Sequence, residues 1–289
     1  MIFKKTAILG LGLLGGSLSR ALKENNKDYY IAAFGRSPQK LQQPLKEGYI
    51  DFAGAIDDLN PGDYDLIVVA TPVETSIELI CNILNDDRLK NDTLVMDVGS
   101  VKDSIIEAVK KQKRASQFIG CHPMAGSEKS GFDHSSFDLY EDSTVILTPI
   151  EANRKNDIEH IREFWQAIGA KVIEINSALH DDILVYSSHL PHFISSVLAD
   201  SCRRFVDKNN VKDIEDFMGR GFLDTTRIAA ASPGMWSEIF SLNKDNLIQS
   251  IDEFSIILEE MRSLLGKGDE KALQEHLENV KNFREELSD

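Results

Sequence analysis

The sequence predicts a doubly wound α/β domain with a mainly parallel sheet, followed by an all-α helical domain. Two observations support this prediction. In the first part of the chain, seven short apolar runs alternate with amphipathic helical segments, and after residue 176 only helical periodicities remain. Buried apolar strands that alternate with helices are typical of a parallel sheet covered on both faces. We therefore expect one domain at residues 1–176 and a second at residues 177–289.

The individual elements follow from the periodicity of apolar residues. The predicted strands are residues 7–9, 30–34, 66–70, 94–97, 118–120, 145–148 and 172–175. Helical patterns lie between several of them, at residues 14–23, 75–84, 104–111 and 157–168, and three long helices follow, at residues 178–206, 244–265 and 270–286. Pro191 lies inside the first long helix and is expected to kink it, because proline removes one backbone hydrogen bond.

Composition excludes several classes of protein. The 289 residues include 47 acidic and 32 basic side chains, a net charge of −15, which disfavours nucleic-acid and membrane partners because both are anionic. The three cysteines are far apart and form no CxxC pair, which indicates a reducing, cytoplasmic location. His189 and His192 can share a helix face, but no third ligand accompanies them, so no metal site is expected.

A glycine-rich motif directly follows the first predicted strand. Gly10, Gly12 and Gly15 form a GxGxxG whose last residues, with Leu13 and Leu14, open a helix. The first glycine permits a tight turn, the second a close approach to a pyrophosphate, and the third close packing of helix on strand. The helix N-terminus favours the anion, so no lysine is needed to hold it. This context predicts a Rossmann-type dinucleotide-binding domain.

The choice between NAD and NADP is normally made at the end of the second strand, where an acidic residue binds the ribose hydroxyls of NAD. This chain has Arg36 and Ser37 there and no acidic residue. Both side chains can bind the extra phosphate of NADP, although Arg36 can equally be a solvated arginine in a turn. NAD and NADP both remain open, with a preference for NADP. Thr71, which follows a later strand, is expected to contact the cofactor too.

Polar residues also follow the next two predicted strands. Ser100 lies in DVGSVK and His122 in GCHPMAGSEKSG. The carboxyl ends of parallel strands are where ligands bind in open α/β sheets. A histidine there can take a proton near neutral pH, which the oxidation of an alcohol requires as hydride leaves the carbon. The alternative is an ordinary loop histidine.

Together with SHLPH and GFLDTTRIA followed by MW, these motifs resemble the prephenate dehydrogenases and their arogenate-using relatives. The resemblance covers nearly the whole chain and keeps the motifs in order. It implies oxidative decarboxylation of prephenate to 4-hydroxyphenylpyruvate and carbon dioxide, with hydride transfer to NAD or NADP. It also implies a homodimer formed through the helical domain.

The resemblance further implies roles for single residues. His122 would take the proton of the ring hydroxyl, and Ser100 would hold that hydroxyl and the histidine in register. Arg227 would bind a substrate carboxylate, His192 would lie near the pyruvyl side chain, and Glu128 would pair with a basic group at the site entrance. The histidine near the keto acid favours prephenate over arogenate.

Three alternatives remain. An arogenate dehydrogenase would share nearly all these motifs. A dehydrogenase of the β-hydroxyacid type would also combine a Rossmann domain with helices, but it would carry a catalytic lysine on a long helix, and no matching motif is present. A non-catalytic dinucleotide sensor would keep the glycines but would have no need for His122, Ser100 and Arg227 together. His189 is expected to be structural.

Overall fold

The structure, a computed structural model, describes residues 3–126 and 129–287. In this part of the chain, eight strands form one sheet. They are β1 (Lys5–Leu9), β2 (Tyr30–Gly35), β3 (Phe52–Ala55), β4 (Leu66–Val69), β5 (Leu94–Asp97), β6 (Phe118–Pro123), β7 (Thr144–Thr148) and β8 (Lys171–Glu174). The edge strand β3 is missing from the seven predicted strands, because Phe-Ala-Gly-Ala is short and lacks a β-branched residue.

The strand order is β3-β2-β1-β4-β5-β6-β7-β8. Neighbouring strands from β3 to β6 are parallel, β7 is antiparallel to β6, and β8 is parallel to β7. The predicted mainly parallel, doubly wound sheet is confirmed. Chain progression reverses between β1 and β4, which makes the carboxyl edge of these strands the place where a ligand is expected.

Five helices accompany the sheet in the described chain. They are α1 (Leu13–Asn25), α2 (Gln42–Lys46), α3 (Val73–Asn85), α4 (Asp103–Val109) and α5 (Lys155–Gln166). Alternate residues of β1 enter different cores, since Ala7 and Leu9 pack in one apolar cluster and Ile8 packs in the other. Burial on both faces explains why these strands are continuously apolar.

The remaining described helices form the predicted all-helical part. They are α6 (Ser177–Leu184), α7 (Leu190–Asn209), α8 (Arg220–Thr226), α9 (Pro233–Leu242), α10 (Lys244–Lys267) and α11 (Glu270–Glu286). The chain divides into two compact units, one of residues 1–243 and one of residues 244–289. In the second unit, α11 begins after Asp269, whose carboxylate accepts the Ala272 N–H. The domain boundary at residue 176 stays a prediction.

The first long helix contains a π turn where the sequence predicts a kink. Val185–His189 is π-helical and joins α6 to α7, and the Leu190 N–H donates to the Val185 carbonyl, five residues back. Pro191 then occupies the first turn of α7, where its missing N–H is tolerated. Among residues 3–126 and 129–287, no helix is long and apolar enough to cross a membrane.

Candidate active site

The glycine motif forms the turn between β1 and α1. Gly10 has φ +92°, and a Cβ there would lie 2.6 Å from the Ala70 carbonyl oxygen at the end of β4. A Cβ on Gly15 would lie 2.1 Å from the Gly10 carbonyl oxygen. Both positions therefore require glycine for packing of the turn itself, whatever the turn binds.

Gly12 differs from its two neighbours in the motif. A Cβ there would meet no atom within 4 Å, so this glycine leaves open space rather than satisfying a close contact within the protein. Gly12 is also the N-cap of α1, whose first turn, including Leu13 and Leu14, contains no acidic residue. Unpaired N–H groups at a helix N-terminus favour an anion. The turn therefore fits the pyrophosphate of a dinucleotide.

A cleft of about 200 Å³ opens beside this turn. Its walls come from the carboxyl ends of β1, β2 and β4, and its lining residues are Gly10, Gly12, Gly35, Arg36, Ile56, Ala70, Thr71, Pro72 and Thr75. The structure thus brings together four of the predicted cofactor residues. Gly15 is buried behind the cleft, and Ser37 is exposed beside Arg36 without lining it.

The two kinds of glycine predict opposite effects of adding a methyl group. Gly12→Ala is expected to weaken dinucleotide binding at least about tenfold at unchanged thermal stability, because the new methyl enters the open space only. Gly15→Ala is the matched control and should destabilise the fold by about 1–3 kcal/mol through overpacking. Fluorescence titration with NADH or NADPH and thermal melting measure the two effects. Equal binding by Gly12→Ala and wild type would contradict the cofactor assignment.

His122 lies near the end of β6 and is only 8% exposed. Its Nδ1 is 2.8 Å from Nε2 of His180 on α6. The pKa of His122 is well below its usual range, first because of burial and then because of His180, Lys102 and His189 nearby. A neutral imidazole is the form that can accept a proton.

Asp181 completes a hydrogen-bonded chain behind this histidine. Its Oδ1 is 2.6 Å from His180 Nδ1, and its two carboxylate oxygens accept the backbone N–H groups of Lys102 and Asp103, each at 2.9 Å. These N–H groups belong to the start of α4, where a carboxylate is electrostatically favoured. Asp181 is therefore fixed in position by a neighbouring helix.

The chain of hydrogen bonds determines which nitrogen carries each proton. Asp181 only accepts, so a neutral His180 donates from Nδ1 and accepts at Nε2. His122 must then donate from Nδ1, which leaves a lone pair on its Nε2. The arrangement therefore presents a neutral histidine whose outer nitrogen can take a proton from a bound hydroxyl.

Ser100 lies in the segment between β5 and α4, just beyond the carboxyl end of the strand that neighbours β6 in the sheet. It is half-buried, and within the described residues no hydrogen bond joins it to His122. The two residues share the carboxyl edge of the sheet, as predicted for neighbouring strands. The role of Ser100 stays a prediction.

A second group of aromatic side chains lies on the helical side. His192 on α7 stacks on Trp236 of α9 with ring centroids 3.6 Å apart, and it is only 4% exposed. Burial lowers its pKa. His189 contacts the same indole edge-on, and its Nδ1 is 3.2 Å from Asn243 Nδ2. Burial, the largest cause, lowers the pKa of His189 to about 4.

Arg227 and Glu128 are the two other residues predicted to act at the substrate site. Arg227 is exposed at the start of a short 3₁₀ turn, Arg227–Ala230, which packs against α7. Glu128 lies outside the described residues. Neither position is tested as a substrate contact by the structure.

Sequence reasoning missed the residues that support His122. His180 and Asp181 were not among the predicted site residues. They lie on α6, which begins after the N-cap Asn176, whose side chain accepts the Leu179 N–H. The available signal in the sequence was the adjacent pair of His180 and Asp181 near the start of a predicted helix.

A dinucleotide cradle and a neutral histidine backed by a carboxylate, at one edge of a Rossmann-type sheet, define an oxidoreductase that transfers hydride. The chain matches the family profile "Prephenate dehydrogenase, nucleotide-binding domain" over residues 18–174 and "Prephenate dehydrogenase, dimerization domain" over residues 176–279. The chain belongs to the prephenate dehydrogenase family, as predicted.

Individual relatives agree with this assignment. The prephenate dehydrogenase of Bacillus subtilis is 30% identical over 98% of this chain and 76% of its own length. The cyclohexadienyl dehydrogenase of Zymomonas mobilis is 29% identical over 98% of this chain and 96% of its own. The structure of Aquifex aeolicus prephenate dehydrogenase with hydroxyphenyl propionate and NAD⁺ has a TM-score of 0.90, 31% identity and 99% coverage of both chains. Synechocystis arogenate dehydrogenase gives 0.83, 25% identity and coverage of 98% and 99%.

Proposed function

We propose that this chain catalyses the oxidative decarboxylation of prephenate to 4-hydroxyphenylpyruvate, with NAD⁺ or NADP⁺ as oxidant. The observation that carries the proposal is the chain from Asp181 through His180 to His122, because it leaves a proton-accepting nitrogen at the carboxyl edge of the sheet. A dinucleotide-binding module without catalysis would need the cradle alone. Family membership and a prephenate dehydrogenase relative that aligns with 98% of the chain support the choice of reaction.

In the proposed reaction, Nε2 of His122 accepts the proton of the ring hydroxyl. The bound nicotinamide supplies the hydride acceptor. His122 then carries a positive charge, which His180 stabilises through its Nε2 lone pair and Asp181 through its carboxylate. The lowered pKa of His122 keeps the base unprotonated near neutral pH, so it is ready for each turnover. Loss of carbon dioxide then makes the ring aromatic and leaves a phenolate oxygen, which takes back the proton held by His122 to give the phenol of the product.

The substrate contacts are assigned by motif. Ser100 orients the ring hydroxyl, Arg227 pairs with a carboxylate, and Glu128 pairs with a basic group at the entrance. His192 is placed beside the pyruvyl side chain. Burial lowers its pKa, and an imidazole N–H in that position can donate to the keto oxygen that prephenate has and arogenate lacks. On this ground prephenate is proposed over arogenate.

Initial rates measured with prephenate and with arogenate, each with NAD⁺ and with NADP⁺, test the proposed function directly. The expected result is the highest kcat/KM with prephenate. A higher kcat/KM with arogenate would make the chain an arogenate dehydrogenase. Cofactor binding without turnover of either substrate would reject both enzymes in favour of a dinucleotide sensor.

The preference for NADP is proposed to depend on Arg36, which lines the cleft at the end of β2. Arg36→Asp is expected to shift the ratio of kcat/KM values toward NAD⁺ by at least about tenfold, because a carboxylate repels a 2′-phosphate and accepts from a ribose hydroxyl. Arg204→Asp on α7 is the control, since it changes the net charge equally and lies outside the cleft lining. An unchanged ratio in Arg36→Asp would leave Arg36 as a surface residue.

A homodimer is proposed to form through the helical part. The profile matched by residues 176–279 describes a dimerization domain. In the unit of residues 244–289, Leu277, Val280 and Phe283 of α11 are each more than half exposed, which is unusual for a surface facing water.

A cytoplasmic location is supported by Cys81, Cys121 and Cys202, which are all free thiols.

A further inference from the structure

A buried ion pair lies directly behind the proposed base. Lys102 donates from Nζ to Oδ2 of Asp97 at the end of β5, and both side chains are completely buried. Burying two charges costs more free energy than their attraction returns unless further hydrogen bonds satisfy them. The hydrogen-bonded series of Asp181, His180 and His122 does not include the Lys102–Asp97 pair, so the presence of this pair needs a separate explanation.

The Lys102–Asp97 pair forms hydrogen bonds with the backbone carbonyl and the backbone N–H of Cys121, the residue before His122. The Lys102 ammonium donates to the Cys121 carbonyl at 3.1 Å, and Asp97 Oδ1 accepts the Cys121 N–H at 3.2 Å. The backbone pairing of β5 with β6 joins Val95 to Phe118 and Met96 to Ile119. At Cys121, which lies past these paired residues, the side chains of Lys102 and Asp97 take the place of the β5 backbone as hydrogen-bond partners of β6.

Lys102 also fixes Asp181, the residue at the other end of the hydrogen-bonded series that leads to His122. Its backbone N–H donates to Asp181 Oδ1, the same oxygen that accepts from His180. One residue therefore contacts the strand that carries His122 through its side chain and the carboxylate behind His180 through its main chain. Four hydrogen bonds and one peptide bond therefore form a closed ring. The hydrogen bonds join Lys102 to Asp181, Asp181 to His180, His180 to His122 and Lys102 to Cys121, and the peptide bond joins Cys121 to His122.

We propose that the buried Lys102–Asp97 pair is a positioning device for His122, which fixes the imidazole against His180 and sets the local charge under which it accepts a proton. The proposal rests on the proposed function, because it concerns the base of that reaction. Lys102 and Asp97 are positioning residues and need no contact with substrate.

The charges around His122 predict the direction in which its pKa should change when Lys102 is replaced. The ionisable groups that surround it on neighbouring elements are Asp97, Lys102, Asp103, His180, Asp181 and His189. The ammonium group of Lys102 opposes protonation of His122 and so lowers its pKa. Removing the ammonium should therefore raise the proton affinity of the ring, and loosening Cys121 should misplace the ring at the same time.

Histidine NMR titration of the uniformly ¹⁵N-histidine-labelled protein measures the first effect without any substrate, with His122→Asn used to assign the signal. Lys102→Met is expected to shift the His122 titration midpoint upward by about one pH unit. Asp97→Asn/Lys102→Met removes both charges, so its midpoint should shift upward by less than that of Lys102→Met, and it keeps the test possible if the single variant does not fold. Lys23→Met is the matched control, because it breaks the Lys23–Asp51 ion pair elsewhere on the sheet and should leave the midpoint unchanged.

Steady-state kinetics of the same proteins measure the second effect. Both variants of the pair should show kcat lowered about tenfold or more, with a KM for prephenate within about threefold of wild type. A folded variant whose midpoint and kcat both match wild type overturns the inference. Wild-type protein that oxidises neither prephenate nor arogenate rejects the proposed function instead, while the titration still decides whether Lys102 controls the protonation of His122.

Discussion

His122→Asn is expected to lower kcat for prephenate oxidation by about 10²- to 10⁴-fold, the usual contribution of a positioned general base. Asparagine is a suitable replacement because its amide N–H can still donate to His180 Nε2, as His122 Nδ1 does across 2.8 Å. The variant keeps the buried hydrogen bond and loses the outer nitrogen that accepts the proton. Cofactor affinity should remain at the wild-type value, since His122 does not line the cleft beside the glycine turn.

Single-turnover and steady-state rates between pH 6 and 9, with a separate cofactor titration, measure both parts of this expectation. His160→Asn on α5 serves as the control, because in the described part of the chain that histidine contacts the Asn156 side chain and the Phe3 ring and does not contact His122. A His122→Asn enzyme with kcat within a few-fold of wild type would exclude His122 as the base.

Asp181→Asn is expected to lower kcat by up to about 10⁴-fold, the loss that the wrong histidine tautomer causes in a comparable catalytic chain. Asp181 accepts three donors, the N–H groups of Lys102, Asp103 and His180. An amide offers one acceptor atom, so its NH₂ group must face a former donor. If it faces His180, that ring accepts at Nδ1 and donates from Nε2, and His122 must then carry its proton on Nε2. The base is blocked although every side chain remains in place.

Asp182→Asn is the matched control for this variant, because Asp182 is the next residue on α6 and is exposed. The measurements are kcat, its pH profile and the thermal midpoint, since leaving a buried N–H group without an acceptor also costs about 1–3 kcal/mol of stability. Wild-type kcat in a folded Asp181→Asn enzyme would show that the tautomer of His122 is set by something other than this chain.

The cofactor half of the site could be predicted from the sequence because its requirements are local. Gly10 and Gly15 lie five residues apart in one turn, and the contacts that require glycine are made within that turn and with the end of β4. The strands were recognisable as continuous apolar runs because the sheet is covered on both faces. The edge strand β3 escaped prediction because only one of its four residues is fully buried.

The support of His122 could not be predicted in the same way, because it depends on contacts between distant parts of the chain. His122 and His180 are 58 residues apart and belong to a strand and a helix. Lys102 reaches Cys121 through its side chain and Asp181 through its backbone, and a backbone N–H leaves no trace in a motif. His192 was expected beside the substrate, and only the structure shows its ring stacked on Trp236.

The π turn before Pro191 has a consequence for how this region can change. An α-helix turns by about 100° per residue, and a π turn holds one residue more than an α turn. Deleting one residue from Val185–His189 would leave an ordinary α turn that still completes about one rotation, so α7 would keep its facing and His192 would stay beside Trp236. A one-residue deletion within a regular α-helical segment has no wide turn to absorb it and rotates everything beyond it by about 100°. In related chains, a one-residue gap at the π turn is therefore compatible with an intact arrangement of α7.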